Sequence, residues 1–171
     1  MNWKRTIMLV AVTALLGAFY LQWKVGLRQG GGPPAGGGIL AFVPSRVEAI
    51  VGNYAGETLR LRRAGSGWRE AGGKPLSGRT VDAFLADLSA VRGTKMARTG
   101  GAGLAAFGLA RPALRLRLKL WGGAERTLEV GNLTMDRSGY YALTGDGVVE
   151  EIPVTGMDTV SGFILLRGHR G

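Results

Sequence analysis

The chain has no cysteine and a single histidine among its 171 residues. Disulfides, thiolate nucleophiles, iron–sulfur clusters and cysteine-based zinc sites are therefore excluded, and so is a lipoprotein anchor, whose lipidation needs a cysteine. His169 stands in "RGHRG" at the very end, where chains are usually disordered, so neither a metal site nor a histidine base is expected there. Carboxylates are scarce too, 12 against 22 lysines and arginines, for a net charge of +10. Asp82 and Asp87, five apart on an expected helix, point to different sides, and Glu150 and Glu151, adjacent on an expected strand, face opposite ways. No acid/base pair results. Asp146 in "TGDGV" reads as a hairpin turn residue. Lys74 follows a glycine pair but lacks the spacing and the hydroxyl residue of a phosphate loop, and "GGAGLAAFG" at 100–108 precedes no suitable helix and reads as a loop. The expectation is a chain without catalytic residues, cofactor or metal, and with no small-molecule substrate in evidence.

Charge is also missing from Thr6 to Trp23. As a helix, the stretch from Trp3 to Trp23 spans about 30 Å, the thickness of a bilayer's hydrocarbon core. Tryptophans at both ends suit the interfacial belts. A cleaved signal peptide would want small residues after the apolar run, but "AFYLQWKV" is bulky. We read residues 1–5 as a tail, 6–25 as one transmembrane anchor and 26–38, "GLRQGGGPPAGGG", as a linker. That composition reaches about 20 Å and keeps a domain at 39–171 near the membrane. Lys4 and Arg5 are nearly balanced by Lys24 and Arg28. A short tail before a long domain then favours an extracytoplasmic domain.

Those four cations removed, the remaining chain carries 18 basic and 12 acidic residues. They are spread along its length, as an arginine-preferring genome would leave them. A nucleic-acid binder would gather them with stacking aromatics, so none is expected as a partner.

The domain reads as α+β, antiparallel hairpins with two packing helices. "RVEAIVG", "ETLRLRR" and "WRE" are extended runs broken by glycine turns. A helix from Thr80 to Arg92 carries the stripe Val81, Phe84, Leu85, Leu88 and Val91, with Asp82 in its first turn and Gly93 closing it. Strands follow at 113–121, 125–130, 139–144 and 148–152, then a helix from Gly156 to Arg167 that Thr155 and Asp158 cap. Hairpins followed by a helix, twice, suggest a duplicated hairpin–helix module.

In "ALRLRLKLW", leucines alternate with Arg115, Arg117 and Lys119. A loop at 122–124 would set Leu118 against Leu128, Leu116 against Val130 and Arg117 against Glu129. This gathers the leucines on one face and solvates the cations. The alternative is a functional basic surface facing anionic headgroups or an acidic partner. Of Tyr140 and Tyr141, neighbours on a strand, one must face outward, where a partner can reach it. Trp68 reads as core, and "NLT" at 132–134 matches a glycosylation sequon that often occurs by chance.

Over residues 39–153 the order "SRVEAIVG", "ETLRLRRAGSGWRE", "TVDAFLADLSAVRG", "LAAFGLARPALRLRLKL", "RTLEVGN" and "GYYALTGDGVVEEIP" resembles a bacterial family known as a domain of unknown function, DUF4340. The FGL–proline–strand segment and the "YYA" strand are the most specific parts. Ala110-Arg111-Pro112 departs from the acidic residue and prolines that family often has there, so no acidic function is carried to this turn. The resemblance implies no catalytic residues. It implies a single-pass protein of the bacterial inner membrane, accessory to a membrane complex such as an ABC-type transporter and its subunits. The competing expectation is an envelope module binding anionic lipid, glycan or a secretion assembly through its basic strand face. Arg115, Arg117, Lys119, Tyr140 and Tyr141 are the candidate partner surface.

Overall fold

The computed structural model describes residues 38–98, 103–145 and 147–170. The expected anchor, almost all of the linker and the Asp146 turn lie outside the described residues. After a 3-10 turn at Pro44–Arg46 come β1 (Val47–Tyr54), β2 (Glu57–Ala64), β3 (Gly67–Glu70) and β4 (Pro75–Leu76), then helix α1 (Gly78–Ala90). Next are β5 (Thr94–Arg98), β6 (Leu114–Leu120), β7 (Glu125–Leu133), β8 (Gly139–Thr144) and β9 (Val148–Pro153), then helix α2 (Val154–Arg167) and β10 (His169–Arg170).

The strands form one antiparallel sheet in the order β4-β3-β2-β1-β6-β7-β8-β9-β5, with β10 beside the start of β2. The α+β expectation is met. The pairing of β1 with β6 fuses the two hairpin sets into one layer. The C-terminal backbone is paired as well: His169 and Arg170 lie in register with Thr58 and Glu57, where a disordered end was expected.

Alternation decides what each strand buries. Leu59 and Leu61 of β2 and Leu114, Leu116, Leu118 and Leu120 of β6 are all buried, while the intervening Arg60, Arg115, Arg117 and Lys119 are exposed. The helices cover this leucine face. Val81, Phe84, Leu85 and Leu88 of α1 are buried as the stripe predicts, and Met157, Val160 and Ile164 come from α2. The two helices also meet each other, with Phe84 stacked on Phe163 at 4.0 Å between ring centres. Gly52 of β1 lets α2 approach: a methyl group there would stand 2.8 Å from Ile164 Cδ1.

Four local expectations are corrected. First, α1 starts two residues earlier and ends at Ala90, so Asp82 lies beyond the first turn and pairs with Arg63 instead (3.4 Å). Its last turn closes when the Val91 amide donates to Leu88 O, so Gly93 is no cap. Second, α2 starts at Val154 with Pro153 as its extended N-cap residue. Thr155 is thus inside the helix and no side-chain cap bond forms.

Third, the β6–β7 loop is Trp121-Gly122-Gly123, because the Leu120 amide donates to Ala124 O and closes the hairpin one residue sooner. Both glycines have positive φ, 88° and 83°, which suits them to this tight loop. The register moves by two: Leu114 faces Val130, Leu116 faces Leu128, Arg115 faces Glu129 and Arg117 faces Thr127. A shift of two keeps each side chain on its face. Fourth, the tyrosines do face opposite ways, but Tyr140 packs half-buried on the core and Tyr141 is half-buried beneath Phe107.

The cover over Tyr141 was not legible in the sequence. Residues around Phe107 lie over the face opposite the helices. Phe107 O accepts the Asn132 amide at 2.9 Å, and its ring meets Tyr141 edge-on at 4.8 Å. Leu109 and Val149 are buried outside the main core. The FGL turn therefore covers part of this face, over β7 and β8.

Candidate functional site

Pairing registers place side chains in rows across the uncovered part of the helix-free face. One row runs Arg69, Arg62, Ala49, Lys119, Glu125 from β3 to β7. The next is Arg60, Val51, Arg117, Thr127, and the third is Thr58, Asn53, Arg115, Glu129. Six exposed cations from three strands thus share one open surface. No aromatic ring stands in these rows.

The three cations singled out from the sequence all have carboxylate partners. Arg115 reaches Glu129 at 3.2 Å, Arg117 reaches Glu125 at 3.7 Å and Lys119 reaches Glu48 at 3.0 Å. Exposed pairs of this kind contribute about 0–1 kcal/mol each, so an arriving carboxylate can compete for these cations at little cost. Arg60, Arg62 and Arg69 enter none of the ion pairs among the described residues. Arg69 only donates to the Gly73 carbonyl, at 3.1 Å. The least compensated charge therefore lies on β2 and β3, beside the residues first singled out. The signal was present in "TLRLRR", which alternates just as β6 does, and only the pairing of β1 with both strands joins the two.

Between the arginines the floor is low. Val51 and Asn53 lie beneath Arg115, Arg117, Thr127 and Glu129 in a shallow depression of about 300 Å³. Tyr140 and Tyr141 are not part of it; Tyr141 lies on the same side but under the FGL turn.

The acids elsewhere serve the fold. Asp136, in the β7–β8 turn, accepts from Thr134 Oγ1 (2.7 Å), Ser138 Oγ (2.8 Å) and the Ser138 amide (3.2 Å). The Thr134 hydroxyl first, then Ser138, hold its carboxyl below the usual carboxylate range. Glu151 Oε1 competes with Asp136 for the same Ser138 hydroxyl proton. Glu150 is buried on the other face, opposite Ala142 and Lys95. Of the sequon, Asn132 is exposed and the Thr134 hydroxyl is engaged in the turn.

Comparison with protein-family models, with curated proteins and with solved structures found no match to the chain.

Proposed function

We propose that the protein is a non-catalytic docking module of a membrane complex, binding an acidic protein surface through the open face of β3, β2, β1 and β6. One observation carries this reading: six exposed cations in adjoining rows, three of them without a carboxylate partner among the described residues. Such a face favours a partner of opposite charge and speeds its encounter. A flat, shallow, ring-free surface suits a broad protein contact better than a small ligand, which takes a deep and largely apolar pocket. The anchor and linker read from the sequence supply the membrane setting. The resemblance to DUF4340 makes a transporter subunit the partner to look for, in the envelope of a bacterium.

The test is gentle-detergent purification of the tagged full-length chain from its native membrane, with co-eluting proteins identified by mass spectrometry. Membrane proteins in near-equal amounts are expected. Replacing Arg60, Arg62, Arg115 and Arg117 together with glutamine should cut their recovery about tenfold or more, as should washing in molar salt. A clean, lone protein, or recovery that the four substitutions leave unchanged, overturns the proposal.

A further inference from the structure

Trp121 forms the tip of the β6–β7 hairpin and is 53 % exposed, an unusual position for the largest apolar side chain. Its amide donates to Arg46 O at 2.8 Å, which ties the tip to the 3-10 turn where Val43 is 42 % exposed. This is also the end where the linker joins the domain. The Ile39 amide donates to Val91 O (2.8 Å), and Arg126 Nε donates to Ala41 O (2.9 Å). Residues 38–46 therefore run from the end of α1, past β7, to the side of Trp121.

Charge is spread along the same segment, from Arg92 beside Gly38 to Arg46 beside Trp121. Lys119 and Arg117 already occupy Glu48 and Glu125. Arg46 and Arg92 are exposed, and Arg126 is half-buried. Arg92 and Arg126 donate to the carbonyls of Ser89, Ala90, Ala41 and Glu125, bonds that orient a guanidinium without cancelling its charge. A tryptophan beside an arginine that enters none of the ion pairs among the described residues is the chemistry that sits at the headgroup level of an anionic bilayer.

We infer that the Trp121 loop, with Arg46 and Arg126, is a membrane-contacting edge that seats the domain on anionic phospholipid. The inference rests on the reading of residues 6–25 as an anchor.

The test uses the full-length chain with Trp3→Phe and Trp23→Phe, reconstituted into phosphatidylcholine vesicles with or without phosphatidylglycerol. Fluorescence is read with lipids spin-labelled just below the headgroup. Trp68 is 1 % exposed, and its signal is subtracted with Trp121→Phe. The Trp121 contribution should be quenched about twofold more strongly when phosphatidylglycerol is present, and Arg46→Glu should remove the difference. Met135, 97 % exposed in the turn at the other end of β7, is the control: Met135→Trp in the Trp121→Phe background should stay unquenched. Equal quenching at both ends of β7, or none at Trp121 in vesicle-bound protein, overturns the inference and leaves the anchor standing. A chain that does not float with the vesicles overturns both.

Discussion

Trp68 concentrates three local problems in one side chain. It is buried on β3, Arg63 lies 4.8 Å over its ring, and its indole Nε1 is enclosed without an acceptor among the described residues. Arg63 is fixed in turn by Val47 O (3.1 Å) and Asp82 (3.4 Å), so the ring sits under a guanidinium held by two other elements. A buried donor without an acceptor costs about 1–3 kcal/mol, which partly offsets what the indole gains by burial. Trp68→Phe should therefore cost about 1 kcal/mol or less, while Trp68→Ala opens a cavity and should cost about 3–5 kcal/mol. Urea unfolding curves of the two variants check this, and equal losses would contradict it. That Trp68 belongs to the core was legible from its place after a glycine turn. That its nitrogen goes unpaired was not, because the surroundings come from β4 and α1.

Elements were legible in kind and imprecise in position, and β6–β7 shows why. The alternation of leucine with arginine assigns faces unambiguously, since a slip of one residue would bury the cations. A slip of two offends nothing in the pattern. Only the loop closure, with both glycines at positive φ, chose between the two registers. Helix ends erred for a similar reason: a stripe of apolar residues marks the middle of a helix, and Ser77 or Pro153 can begin one without a side-chain cap. The packing of α2 on β1 was not legible, because nothing local marks Gly52 as the point of closest approach. Gly52→Ala should destabilise by about 1–3 kcal/mol through overpacking against Ile164. A double-mutant cycle with Ile164→Val should return part of that loss, and strictly additive effects would show that the methyl is accommodated elsewhere.

For the molecule as a whole, the described residues hold one main core beneath one sheet, drawn from Ile39 through Ile164. A chain starting at Gly38 should fold by itself, with one cooperative thermal transition within a few degrees of the full-length protein. Scanning calorimetry decides it; a broad or absent transition would mean that the N-terminal segment contributes to the fold. Among the described residues no helix is long and apolar enough to cross a membrane.

The sequence by itself determined the absence of thiol chemistry, the charge excess, the apolar run, and which side of each clear strand and helix is buried. These follow from composition and from periods of two and 3.6 residues, both local properties. The order of strands, the joining of β2 and β6 through β1, and the cover that the FGL turn lays over Tyr141 were decided only in three dimensions. They depend on which distant residues share a register, and a strand's pattern names its buried face without naming its neighbour. The basic face, assembled from β3, β2 and β6, is a product of that pairing.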